Sequence, residues 1–161
     1  MRSIVSDASP INYLVLIGEI DLLPNLFEEV FIPAAVYAEL QHQRTPPAVF
    51  TWAEALPNWA RLRQPSRFSP IPGLGAGETE AIALAEEMGI SAILIDERKG
   101  RRAAAEHGLN PLRTLNILYA ANMRGFVDFE RAIRELRKTS FRMRDDMVAV
   151  LLDRVRARKR R

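Results

Sequence analysis

Three short apolar runs constrain this chain most: "SIVSD" (3–7), "EVFI" (29–32) and "SAILID" (91–96). Each is too short for a helix, and each is followed by helix-start chemistry. After the first, Ser9 and Pro10 read as an N-cap and a first helical residue, and Gly18 closes the helix. After the second, Pro33 opens "PAAVYAELQ". The third leads into "ERKGRRAAAEHG" (97–108). "WARLRQ" (59–64) reads as an edge strand and "LNPLRT" (109–114) as a last short strand. Helices are also expected over 20–27, 78–89, 115–124, 128–138 and about 144–158, with a turn and a short helix within 44–56 and a Pro- and Gly-rich loop at 65–77. Strands separated by helices make βαβ units. The expected fold is therefore α/β, a three-layer α/β/α sandwich on a mainly parallel sheet with helices at its C-terminal end.

A chain of 161 residues fits one domain and buries roughly two-thirds of its unfolded surface. We read residues 1–161 as one domain with a basic helical extension from about 126. The absence of cysteine removes disulfides, thiol nucleophiles and thiolate-bound zinc. "MRSIVSDASP" lacks the apolar length of a signal peptide. No stretch reaches the ~20 apolar residues of a membrane span, so a soluble cytoplasmic protein is expected. The net charge of +3 conceals a division. Residues 1–96 carry 5 basic and 12 acidic side chains, a net of −7, whereas residues 97–161 carry 18 and 8, a net of +10. Acidic pockets attract cations, and basic surfaces attract phosphate backbones.

Asp7 and Asp96 each end an apolar run. In parallel sheets ligands bind outside the carboxyl ends of the strands, so two acids there can face one crevice. Helix capping is the competing role for each. Glu39, in "AAVYAELQ", lies beside the apolar stripe of its helix. In the helix 78–89, a rotation of ~100° per residue groups Ala81, Ile82, Leu84, Ala85 and Met88 on one face. Glu78 flanks that face, while Glu80, Glu86 and Glu87 point away from it, and Glu80 is the nearest alternative. Four inward-leaning carboxylates repel one another unless some stay protonated or share a cation. Mg²⁺ or Mn²⁺ suits such oxygen donors, and the matching chemistry is metal-assisted phosphodiester hydrolysis.

"IVSDASP", "VFIPAAVYAEL", "GLGAGETEAIALAEEMG" and "AILIDERKGRR", in that order, resemble the PIN-domain nucleases. More narrowly they are similar to the DUF3368 branch, which is related to the VapC-type toxins of toxin–antitoxin pairs. The resemblance covers about residues 3–125 and leaves "VLLDRVRARKRR" outside. It implies an α/β/α sandwich and an Mg²⁺- or Mn²⁺-dependent ribonuclease site built from Asp7, Glu39, Glu78 and Asp96. Ser9 matches a polar position that supports the first acid, and Glu80 stands beside Glu78 as a further second-layer candidate. VapC-type chains often carry Asp where Glu78 stands, and here Glu97, Arg98 and Lys99 follow the strand-end acid. The implied partners are RNA, a cognate antitoxin and a second copy of the chain.

Arg98, Lys99 and Arg102 stand where a phosphate backbone would approach Asp96, and they are the expected RNA contacts. The basic tail 154–161 either binds nucleic acid or is solvated. His42 and His107 read as isolated surface residues. Two other classes stay open. One is a non-catalytic module of the same fold that binds nucleic acid or an antitoxin. The other is a receiver-type phospho-acceptor, which would need a Lys ending a late strand where "LNPLRT" offers Arg113 and Thr114.

Overall fold

The computed structural model describes residues 2–161. Its strands are β1 (Ser3–Ser6), β2 (Glu29–Ile32), β3 (Ala60–Leu62), β4 (Ala92–Leu94) and β5 (Asn110–Leu112). They form one sheet in the order β3-β2-β1-β4-β5, and every pairing is parallel. The helices are α1 (Ala8–Leu16), α2 (Leu22–Leu26), α3 (Ala34–Leu40), α4 (Pro47–Glu54), α5 (Ala76–Met88), α6 (Arg98–Glu106), α7 (Thr114–Met123), α8 (Phe129–Arg137) and α9 (Asp145–Lys159). The expected α/β/α arrangement is present, on a sheet that is wholly parallel.

Period-two alternation assigns the strand side chains to two layers. Ile4, Val30 and Leu94 face one layer, packed with α2, α7, α8 and α9. Val5, Phe31, Ile93 and the following Ile95 face the other, against α5 and α6. A third cluster, around Ile11, Ile32, Val36 and Val49, fills the space among α1, α3 and α4. β1 is central because it is apolar on both faces, with Ile4 and Val5 fully buried. The basic C-terminal helices join the same core: Phe129, Ile133 and Leu136 of α8, and Val148, Leu151 and Val155 of α9, lie in the cluster that holds Ile4.

Two local expectations change. α1 starts at Ala8 with Asp7 at its N-cap position, so Ser9 and Pro10 lie inside the first turn rather than opening the helix. β4 ends at Leu94, which leaves Ile95 and Asp96 in the short link to α6. Gly89, by contrast, terminates α5 as expected, in the left-handed conformation (φ 67°) that a residue with a Cβ adopts at a cost.

Candidate metal centre

Backbone pairing brings the first two acids together. The Asp7 N–H donates to the Leu94 carbonyl at 2.9 Å, carrying the β1–β4 ladder one residue past the strand. The Ile95 N–H donates to Leu112 at 2.8 Å and does the same between β4 and β5. Asp7 and Asp96 therefore stand at neighbouring strand ends, at the carboxyl edge of the sheet. Although Asp7 occupies the N-cap position of α1, its side chain makes no capping hydrogen bond. Asp96 does not cap α6 either, whose N-cap is Glu97. It is held instead by Thr114, which opens α7: the backbone N–H reaches Oδ1 at 2.8 Å and the hydroxyl reaches Oδ2 at 2.7 Å. Capping thus holds for Asp96 in altered form, on a different helix. Sequence reasoning missed Thr114, whose only signal is a hydroxyl residue at the start of a helix.

α3 and α5 complete the crevice by packing side by side. Their closeness depends on Gly77: a Cβ there would collide with the Glu39 carboxylate and come within 3.4 Å of Asp7 Oδ1. Glu78 lies in the first turn of α5. Its Oε1 accepts a 3.4 Å hydrogen bond from the Gly75 N–H at the helix start. Its Oε2 is buried with no hydrogen-bond partner. That oxygen faces α6, where a Cβ on Gly100 would clash with it and with Ile95.

Glu80 overturns the helical-wheel expectation that it points away from the buried face. It is 7% exposed, and its Oε1 accepts from the Ala35 N–H at 3.1 Å. α5 has two buried faces, one on the sheet and one on α3, whereas a single-stripe wheel allows only one. Glu80 therefore satisfies an otherwise free N–H in the first turn of α3, the helix that carries Glu39. Ser9 lines a hollow of 390 Å³ beside Glu39, together with Asn12, Tyr13, His42 and Arg44. The histidines are not isolated: His42 faces this hollow, and His107 Nδ1 lies 2.8 Å from Glu86 Oε1 on the surface.

The electrostatics record the convergence. Burial pushes the Asp7 carboxyl up from 3.8 to about 7, the Ala8 backbone N–H opposes this, and the Glu78, Glu39 and Asp96 charges add to it. Burial also raises Glu39, against the Gly77 amide, and raises Glu78, where Glu97 and Glu39 contribute further. Asp96 is raised by burial and lowered by both Thr114 bonds, then by Arg101 and Arg113. The Arg101 guanidinium donates to the Asp96 carbonyl.

These residues fit a hard divalent cation. All four donors are carboxylates, one buried oxygen lacks a partner, and Asp7 is destabilised as an anion by burial and, to a lesser degree, by the neighbouring carboxylates. Among the described residues, no three acidic or histidine side chains stand as a preformed metal cage. Mg²⁺ does not require one, because it typically uses one or two carboxylates and keeps several waters.

On the far side of Asp96 is a cleft of 460 Å³ that contains Arg98 and Arg101 of α6 together with Arg113, Arg142 and Arg144. Of the expected RNA contacts, Arg98 lines it. Lys99 and Arg102 do not and are exposed, with Arg102 4.0 Å from Glu106.

A parallel α/β/α sandwich with an acidic crevice at the carboxyl ends of its central strands defines the class. The family model for the PIN domain, DUF3368, matches residues 3–157, so the chain belongs to the PIN-domain family. PIN domains are generally nucleases that use divalent metals. The match extends beyond the expected 3–125 and takes in most of α9, the helix expected to lie outside it. Among solved structures, the chain is similar to a PilT N-terminus domain protein from the hyperthermophilic archaeon Sulfolobus solfataricus P2. The two are 14% identical with a TM-score of 0.54, over 75% of this chain and 93% of that one, which is a likeness of fold. No curated protein matches the sequence significantly. The family assignment sets the receiver-type alternative aside. No helix among the described residues is long and apolar enough to cross a membrane.

Three outcomes follow from this geometry. Gly77→Ala should leave the fold intact but displace the Glu39 carboxylate, and calorimetric titration should show weaker Mn²⁺ binding. Glu80→Ala leaves the Ala35 N–H unpaired and should cost about 1–3 kcal/mol in urea unfolding. The Asp7 carboxyl titrates at about 7 when folded against the ordinary 3.8 of a solvated aspartate, so between those values the folded chain holds the extra proton. Stability of the metal-free protein should therefore fall as pH rises from about 4 to 7, by up to about 4 kcal/mol from this residue. Thermal melts in EDTA should show Asp7→Asn losing that component and melting higher than wild type at pH 8.

Proposed function

We propose that this protein is an Mg²⁺- or Mn²⁺-dependent endoribonuclease. The observation that carries the reading is the crowding of Asp7, Glu39, Glu78 and Asp96, with Asp7 buried and Glu78 Oε2 unpartnered. Such a crowd is self-repelling without a cation, and it lies beside a cleft rich in arginine. Asp7, Asp96 and Glu78 would hold the ion together with its waters, with the Glu39 carboxylate alongside across Gly77. When bound, the ion supplies Lewis-acid activation of water and of the phosphodiester. The chain's own residues do the rest. Thr114 fixes the rotamer of Asp96 through two hydrogen bonds, and Glu80 fixes the start of the helix that presents Glu39. Burial of Asp7 ties its ionisation to neutral pH, so protons compete with the cation below about 7.

The sequence resemblance to VapC-type toxins is the ground for two further parts of the proposal: a cognate antitoxin as a protein partner, and a homodimer as the working assembly. Induced expression should then arrest growth in the wild type and not in the Asp7→Asn variant.

The direct test is cleavage of labelled RNA by the purified chain. Activity should require Mg²⁺ or Mn²⁺, vanish in EDTA and fall at least about 100-fold in Asp7→Asn and Asp96→Asn, an expected loss of about 2.7 kcal/mol or more of transition-state stabilisation. Cleavage that persists under full chelation would overturn the metal-dependent reading. RNA binding without any cleavage would favour the non-catalytic module.

A further inference from the structure

The cleft beyond Asp96 gathers like charges from three separate parts of the chain. Arg98 and Arg101 come from the first turns of α6, Arg113 from the residue before α7, and Arg142 and Arg144 from the link between α8 and α9. Among the described residues, Arg98, Arg101, Arg113 and Arg142 take part in no salt bridge. Only Arg144 is paired, with Asp146 at 3.0 Å, on the surface. Unpaired guanidinium groups held around one hollow repel each other, and an anion entering it relieves that repulsion.

The remaining lining is Asp96, which the cleft shares with the acidic centre and whose charge Arg101 and Arg113 offset, and an apolar surface of Leu115, Phe141, Met143 and Met147. The Arg113 guanidinium donates to the Met147 sulfur at 3.0 Å, so arginine and apolar surface form one wall. The link that supplies Phe141 and Arg142 is fastened to α1. The Tyr13 and Ser140 hydroxyls are 2.9 Å apart, and the Tyr13 and Phe141 rings meet edge to face with centroids 5.0 Å apart. Thr139 Oγ1 also accepts from the Phe141 N–H at 3.1 Å. The arginines therefore stand on an ordered segment.

Resting on the nuclease reading above, we infer that this cleft is a nucleotide subsite for single-stranded nucleic acid. The arginines take a phosphate next to the one at the acidic centre, and the Phe141–Met143 surface takes a base. Guanidinium groups over an apolar and aromatic floor suit an unpaired nucleotide, whose base face is free to stack. A duplex keeps its base faces inside and offers this floor nothing. The cleft volume of 460 Å³ also matches a nucleotide-sized group rather than a double helix.

The test measures binding without turnover. The full chain, in EDTA, is titrated into a fluorescein-labelled single-stranded RNA 12-mer and into its duplex, with anisotropy read over a series of salt concentrations. Wild type should bind the single strand more tightly than the duplex. Arg142→Gln/Arg144→Gln should weaken single-strand binding about tenfold or more and lower the slope of log K against log salt by about 0.7, the share of one lost phosphate contact. Arg160→Gln/Arg161→Gln, outside the cleft, should leave the affinity nearly unchanged. Tyr13→Phe, which keeps every arginine but loses the Ser140 bond, should give a smaller loss of affinity with the slope retained. Mn²⁺ titration of Arg142→Gln/Arg144→Gln should match wild type, which separates this cleft from the acidic centre and checks the fold. Equal binding of duplex and single strand, an unchanged slope in the cleft variant, or an equal effect from the tail variant would each overturn the proposal. None of these readouts depends on cleavage, so a chain that binds in this way but does not cut would sink only the nuclease reading.

Discussion

The structure is organised around an unfavourable interaction. A carboxylate is buried at the end of the central strand, with three others near enough for their charges to act on it. The shift of Asp7 from 3.8 to about 7 corresponds to roughly 4 kcal/mol against its charged form. That is comparable to what one or two fully buried leucines contribute, at about 1.5–3 kcal/mol each. Burial of Ile4 and Val5 on the two faces of β1 anchors the strand that carries this charge, and the backbone bond from Asp7 to Leu94 prevents its end from fraying outward. A folded domain tolerates such a conflict when a ligand resolves it.

The second layer of the site is built from groups that restrict motion rather than add charge. Thr114 engages both oxygens of Asp96. Glu80 is a buried acid that spends one oxygen on the start of α3. Gly77 and Gly100 act by what they lack, since a methyl at either would occupy space that a carboxylate oxygen uses. The four acids thus depend on a few neighbours with no charge to bring to a cation, and on one acid that faces elsewhere.

Much of this was legible in the sequence. The apolar runs ending in Asp7 and Asp96 announced strands whose carboxyl ends meet, and the helix starting near Glu78 was clear from its periodicity. Pro33 correctly marked the approach to α3. What escaped had physical reasons. Glu80 was misplaced because α5 is buried on two sides. Asp7 took the N-cap position assigned to Ser9 because the chain turns into α1 directly at the strand end. Thr114 and the arginines 113, 142 and 144 meet Asp96 only through tertiary packing, from segments up to 48 residues away along the chain. No local pattern encodes such meetings. The basic stretch next to Asp96 drew attention to Lys99 and Arg102, but helix geometry turns Arg98 and Arg101 into the cleft instead.

The union of Ile4 with Val148, Leu151 and Val155 in one apolar cluster has a consequence for the order in which the molecule matures. Asp7, Glu39, Glu78 and Asp96 all precede position 97, and the link bearing Arg142 and Arg144 is translated long after them. A nascent chain can present its carboxylates before it possesses the wall that faces them, but the central strand lacks its full packing until α9 has emerged. Completion of the core and completion of the basic wall are therefore the same late event, and a stalled or truncated product would lack both.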